Sequence, residues 1–291
     1  MNCVRTRAAS FQVALAAGLL LANGSTAHAQ DIPAPLYGVT VDNPWNAAQT
    51  VIALVGFARH VTARIVFDEQ ETARDYDRVV QPLSAVADLM GEILDSRFVR
   101  NLPIDQFQQR VDDYLTTWGG RIAIWEICNE CNGEWLGTTP DVVAKMTYAY
   151  DAAKARGFTA ALTLYYNQGC WSNPANEMFQ WAGDNVPDRM VQGLDYVLVS
   201  YYEDDCNGGR PDWQSVFDRL AAMFPNSKVG FGEIGTDGNE TEEEKAAYIQ
   251  RYYGLQIDNP QYIGGYFYWW FSEDMVPFTR YLWNVLNAAW P

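Results

Sequence analysis

Two segments of the chain run an apolar stretch into a glutamate: Trp125-Glu126-Ile127-Cys128-Asn129-Glu130 and Val229-Gly230-Phe231-Gly232-Glu233-Ile234-Gly235. Each reads as a buried strand that stops at a carboxyl group. Where strands of a barrel end on one rim, two such acids can flank a single scissile bond. One then protonates the leaving oxygen while the other attacks the carbon. For a glycosidic bond cleaved with retention, the two carboxyls stand roughly 5 to 5.5 Å apart.

Other chemistries are poorly supplied. His28 falls in an N-terminal leader, which leaves His60 as the remaining imidazole, just before an apolar strand, where a structural role is expected. A His-rich zinc site cannot be built, and a Ser-His-Asp triad would depend on that one residue. Acid–base work therefore falls to carboxylates or tyrosines, and no metal or cofactor is expected. Among rival carboxylates, Glu126 sits two strand periods before Glu130 and should point into the same interior, deeper, as a supporting group. Glu203, Asp204 and Asp205, with Asn207-Gly208, lack the EF-hand spacing and read as a solvated, substrate-facing loop rather than a calcium site. Asp95 closes the third strand, where it can contact substrate or cap a helix.

Four cysteines follow the leader: Cys128, Cys131, Cys170 and Cys206. In an exported protein they favour disulfides, with three pairings open. The Cys128-x-x-Cys131 spacing is also that of a redox motif, but it brackets Asn129-Glu130 at a strand end, whereas redox pairs sit at a helix start. A bridge among Cys131, Cys170 and Cys206 would pin loops around the site.

The elements that must position these groups follow from pattern. Arg5 and Arg7, an apolar run from Phe11 to Leu21 and Ala27-His28-Ala29 describe a cleaved export signal over residues 1–29, hence a secreted or periplasmic protein. Residues 30–291 then form one domain with no linker or repeat. Losing Arg5 and Arg7 takes the net charge from -16 to -18. That argues against nucleic acid or anionic membrane as partner and for a neutral one. Aromatics make up 14% of the chain, with 11 Trp and 17 Tyr, which supplies rings able to stack on sugar faces.

Strands are expected at Leu36–Val41, Ala63–Phe67, Ala87–Leu94, Ile122–Cys128, Ala160–Tyr165, Tyr196–Tyr201, Lys228–Gly232 and Gly265–Trp270. Amphipathic helices lie between them, as at Asp105–Thr117, Pro140–Ala155, Trp213–Met223 and Thr241–Tyr253, the last opening on a Thr241-to-Glu244 capping box. Eight strands alternating with helices over this length predict a (β/α)8 TIM barrel, acting as a monomer. Glu130 and Glu233, 103 residues apart, are separated by three units of about 34 and close the fourth and seventh strands.

The segment Trp125 to Glu130 resembles the aromatic-Glu-Ile-small-Asn-Glu segment on strand four of clan A glycoside hydrolases, family 5 being nearest in wording. Phe231 to Gly235 is similar to that clan's strand-seven segment. Ala63-Arg64-Ile65-Val66-Phe67 resembles its strand-two segment, Ser200-Tyr201-Tyr202 its polar-x-Tyr element, and Tyr268-Trp269 its strand-eight tryptophan. Cys131 stands where proline is usual, and Ser200 where family 5 has histidine.

The resemblance implies a retaining β-glycoside hydrolase with Glu130 as acid/base and Glu233 as nucleophile. Asn129 would bond the sugar 2-hydroxyl, Arg64 and Tyr202 would keep Glu233 ionised, and Trp269 would lie under the reacting sugar. Tyr201 and Trp270 are alternatives to Tyr202 and Trp269 at one-residue offset. Trp45, Trp135 and Trp171 lie beyond strand ends as stacking candidates. An oligo- or polysaccharide is the expected substrate, with attack within the chain. A transglycosylase or a non-catalytic sugar-binding barrel are the alternatives.

Overall fold

The computed structural model describes residues 32, 34–206, 208–236 and 238–290; the leader expected at 1–29 lies outside them. Eight strands follow in order: β1 (Leu36–Val41), β2 (Thr62–Val66), β3 (Asp88–Glu92), β4 (Ile124–Cys128), β5 (Ala160–Tyr165), β6 (Tyr196–Tyr202), β7 (Lys228–Gly235) and β8 (Gly264–Trp269). Every neighbouring pair is parallel, and β8 pairs with β1 to close the sheet in sequence order. Parallel pairing requires a crossover between strands, and helices supply it. They include Ala47–Val55, Asp77–Leu83, Ile104–Trp118, Thr139–Ala155, Trp213–Met223, Glu242–Tyr253 and Tyr281–Ala289, with Met178–Asn185 and Asp188–Gly193 between β5 and β6. The chain is a (β/α)8 barrel. Among the described residues, no helix is long and apolar enough to cross a membrane.

Helix boundaries have local causes. Ile104–Trp118 buries Phe107, Val111, Tyr114, Leu115 and Trp118, spaced three and four apart, against the barrel. Glu242–Tyr253 starts where Thr241 Oγ1 accepts from Glu244 N at 3.3 Å and Glu244 Oε2 accepts from Thr241 N at 2.9 Å. Strand β3 is shorter than its apolar run because Asp95 Oδ1 accepts from Arg97 N at 2.8 Å and opens a 3-10 turn over Ser96–Asn101.

The barrel interior is layered by the two-residue period of the strands. Leu36, Met90, Ile124, Ala161, Leu198 and Phe267 fill its lower part with apolar atoms. One inward step later on the same strands come Glu92, Glu126, Thr163 and Ser200, joined by Arg64 from β2; all are buried. The interior therefore turns polar towards the C-terminal ends of the strands.

Strand β7 departs from simple alternation, and the departure aims a side chain. Val199 pairs with Phe231, but the next residue, Ser200, pairs with Glu233, so Gly232 is an inserted bulge residue. Phe231 packs outward on Trp213, Phe217 and Tyr252. Without the insertion Glu233 would share that outward face; with it, the carboxyl turns into the barrel. A Cβ at position 232 would stand 2.8 Å from both Thr163 Oγ1 and Leu198 Cβ, which explains the glycine. Strand β7 also continues to Gly235, so Glu233 lies within the strand rather than beyond it.

Cys128 and Cys131 form a disulfide with Cα atoms 5.7 Å apart, closing a short loop around Asn129 and Glu130. Cys131 is therefore used locally, not in a bridge to the later loops. Cys170 is disulfide-bonded as well, while the side chain of Cys206 lies outside the described residues.

Candidate active site

At the C-terminal rim a cavity of about 290 Å³ opens to solvent, and both Glu130 and Glu233 line it. Tyr202, Trp269, Trp270 and Trp135 complete much of the wall, with Ser96, Arg97, Tyr165, Asp205 and Thr236. Barrels of this kind carry their chemistry at this face, where loops meet strand ends.

Glu233 is held from three sides. Arg64 Nη1 lies 2.9 Å from its Oε2, Asn129 Nδ2 donates to the same oxygen at 3.2 Å, and the Tyr202 hydroxyl donates to Oε1 at 2.6 Å. Burial lifts this carboxyl above its ordinary range, and Arg64 and Tyr202 pull it back towards the ionised form. Tyr202 remains a donor, because burial and the neighbouring Glu233 charge push its own ionisation far upward. Asn129 has a fixed orientation: its Oδ1 accepts from Ser96 N at 3.3 Å, which turns the amide NH₂ towards Glu233.

Arg64 is itself anchored from below. It is wholly buried, its Nε donates to Glu126 Oε2 at 2.7 Å, and its Nη2 lies 3.0 Å from Glu92 Oε2. Burial opposes its charge, but Glu126, Glu92 and Glu233 outweigh that and hold the guanidinium firmly protonated. Thr163 donates its hydroxyl to Glu126, so β2, β3, β4, β5 and β7 all contribute to one network. Glu92 is pushed well up by burial, and its Oε2 finds no aligned hydrogen bond.

Glu130 has the opposite surroundings. Among the described residues no cation forms an ion pair with it; Ser96 Oγ donates to Oε2 at 2.7 Å and Ser200 Oγ to Oε1 at 2.7 Å. Burial, then the Glu233 charge, push its pKa up to about 8 against the pull of the two hydroxyls. Its backbone φ of 50° lies in the left-handed region that a non-glycine residue seldom adopts. Such strain persists where surroundings enforce it, and here the disulfide loop and two serines do so. Trp135 Nε1 donates to Ser96 Oγ at 3.0 Å and orients that serine.

The cavity brings together Glu130, Glu233, Tyr202, Trp269, Trp270 and Trp135, with Asn129 and Arg64 immediately behind Glu233. Tyr201 is placed elsewhere. The strand period turns it outward, where its hydroxyl donates to Gly209 O and its ring packs on Trp213. Trp171 lies beside the cavity rather than in its wall, edge-on to Tyr165 at 5.5 Å. Trp270 Nε1 is buried without a partner, leaving a donor at the cavity wall. Trp45 packs on Tyr76 at 4.9 Å with Arg78 over its ring and donates to Asp68 at 3.1 Å. His60 is a surface residue 3.1 Å from Asp88.

The acidic loop reaches the cavity through Asp205 and is tied to its neighbours. Glu203 pairs with Arg210 at 2.9 Å and with Arg251, while Asp205 accepts from Tyr165. Among the described residues, no three His, Cys, Asp or Glu side chains converge as a metal site. Asn207 lies outside the described residues. Ser96, Thr163 and Thr236 escaped the sequence reading, since small hydroxyl residues carry no pattern of their own. Glu92 did carry a signal: Leu89-Met90-Gly91-Glu92 is another apolar run ending on a carboxylate.

No protein-family model matches the chain, and no curated protein does. Solved structures do match. An FMN-binding beta-glucuronidase from Facaelibacterium prausnitzii L2-6 aligns with a TM-score of 0.55 at 14% identity, over 85% of this chain and 38% of that one. Saccharomyces cerevisiae Gas2p in complex with laminaritriose and laminaritetraose aligns with a TM-score of 0.52 at 15% identity, over 87% of this chain and 63% of that one. A family 1 beta-glucosidase from Thermotoga maritima gives 0.55 and 11%, over 84% and 89%. The chain thus spans less than two thirds of the first two. At these identities the likeness is one of fold, and the fold is shared with proteins named as a glucuronidase, a glucosidase and a binder of laminari-oligosaccharides.

Proposed function

We propose that this chain is a retaining β-glycoside hydrolase that attacks within a polysaccharide, exported after loss of residues 1–29. One observation carries the reading: two buried glutamates share a rim cavity in opposite electrostatic settings. Glu130, raised to about 8 and in no ion pair among the described residues, starts protonated and gives its proton to the glycosidic oxygen. Glu233, set by Arg64, Asn129 and Tyr202, attacks the anomeric carbon and forms a glycosyl ester.

Once the ester forms, the Glu233 charge that raised Glu130 is gone. Glu130 then ionises more readily and takes a proton from the incoming water, which breaks the ester. Asn129, whose Nδ2 donates to Glu233, is assigned the sugar 2-hydroxyl, a contact that strengthens in the transition state. Trp269 and Trp270 offer ring faces along the wall.

A panel of soluble glucans, mannans, galactans and xylans, assayed with wild type beside Glu130→Ala and Glu233→Ala, tests the reading. Wild type should cleave at least one polymer, and each variant should lose roughly a thousandfold in kcat on it. Wild-type activity in Glu233→Ala would refute the mechanism. Silence of the wild type on every polymer would favour a sugar-binding barrel.

A further inference from the structure

A second cavity, of about 300 Å³, lies on the same rim beyond β6 and β7. It sits between the loop after β6 and the start of the Glu242–Tyr253 helix, and Glu240, Glu244, Ala247, Tyr248 and Arg251 line it. Thr236, three residues after Glu233, lines both this cavity and the catalytic one. The two chambers therefore share a wall.

The lining chemistry narrows what can enter. Arg210 and Arg251 both pair with the one carboxylate of Glu203, which also accepts from Tyr252 at 3.1 Å, so each guanidinium is engaged by an acid. Asp204, Glu240 and Glu244 add further negative charge to the wall, which disfavours a carboxylate, sulfate or phosphate group. Among the described residues, Thr236 Oγ1, on a residue only 4% exposed, and Glu240 Oε2 line this cavity without a hydrogen-bond partner. Buried oxygens of this kind normally find a hydrogen-bond partner. A hydroxyl-bearing ligand satisfies both, donating to the Glu240 carboxylate and exchanging bonds with the threonine hydroxyl, while the exposed Ala247 offers an apolar surface to a sugar.

We propose that the second cavity holds a neutral sugar branch of the glycan whose backbone lies over Glu130 and Glu233. The inference rests on the glycosidase reading and adds a substrate class to it: branched polysaccharides, with the side sugar passing Thr236.

The test uses matched pairs of oligosaccharides: galactosylated and linear mannan, xyloglucan and cellulose, arabinosylated and linear xylan. Turnover is measured on each, and binding by calorimetry, for wild type, Ala247→Trp to fill the cavity, and Glu240→Gln. In at least one pair the branched member should be favoured about tenfold or more, the size of one charge-assisted hydrogen bond. Ala247→Trp should erase that preference while leaving the linear member unchanged, and Glu240→Gln should weaken it. Equal handling of branched and linear members in every pair would overturn the proposal, as would loss on both alike in Ala247→Trp. A branch preference in binding that Ala247→Trp removes, without any turnover, would uphold this cavity while sinking the glycosidase reading. If no member binds or turns over, both fall.

Discussion

The two glutamates differ through their neighbours, not their burial. Glu130 has two serine hydroxyls and, among the described residues, no ion pair; Glu233 has a guanidinium, an amide and a phenol. Each serine donates to the ionised form of Glu130 and so holds its pKa down from where burial would take it. Catalysis in the forward step needs Glu130 protonated, so the rate should fall as pH rises through about 8. Ser200→Ala removes one of those donors, and the alkaline limb of the kcat/KM profile should move upward; a downward shift would contradict the assignment. Arg64 makes a second test. Arg64→Met strands three buried carboxylates and should cost about 3–5 kcal/mol in stability by urea unfolding. Glu92→Gln, which mimics a neutral carboxyl, should cost far less. The positions of Glu130 and Glu233 were legible because each ends an apolar run; Arg64 and Asn129 came from the resemblance, and Tyr202 stayed open against Tyr201 until the strand register was known. Ser96 was not, and the contact of Ser200 with Glu130 was not either, since both depend on which strands meet across the barrel.

Elements aim these residues. The bulge at Gly232 turns Glu233 inward, and the disulfide loop Cys128–Cys131 fixes Glu130 at a φ of 50°. Neither was legible: a bulge is a mismatch between two strands, visible only once their register is known, and four cysteines leave three pairings open. The eight strands and the helices at Ile104–Trp118, Thr139–Ala155, Trp213–Met223 and Glu242–Tyr253 were legible, because apolar period and capping are local. Among these elements only ends moved, as where β7 ran on to Gly235. The disulfide gives the element-scale test. Replacing Cys128 and Cys131 together by serine releases the loop that carries the acid, and a misplacement near 1 Å can cost about a hundredfold. Single-turnover and steady-state kinetics should show kcat falling ~10- to 100-fold with the far-UV spectrum retained. An unchanged kcat would show that the two serines alone position Glu130.

At the scale of the whole molecule, the closed barrel holds buried acids in a chain of net charge -16. Asp42, between β1 and the segment after β8, is raised from 3.8 to about 8 by burial and then by its contact with Glu273. Glu130 is raised from 4.5 to about 8. For both groups the folded pKa exceeds the unfolded one, so the folded chain keeps protons that the unfolded chain has released. Their stabilising effect is complete below about 4 and is lost as pH rises to about 8. Net negative charge acts in the same direction. Melting temperature should therefore fall between about pH 5 and 8, and Asp42→Asn should flatten the slope. A melting temperature that climbs over that window would contradict the buried-acid account. Fold class was legible at this scale from eight evenly spaced units. The second rim cavity was not, because it forms where loops from two units meet.

The division of labour between the two glutamates is decided most directly by the stereochemistry of azide rescue. On an activated aryl glycoside of the best sugar, azide should restore turnover to Glu233→Ala with the anomeric configuration inverted, because azide takes the place of the missing nucleophile. With Glu130→Ala the glycosyl azide should keep the configuration, since Glu233 still forms the intermediate that azide opens. Inverted product from Glu130→Ala, or retained product from Glu233→Ala, would contradict the assignment.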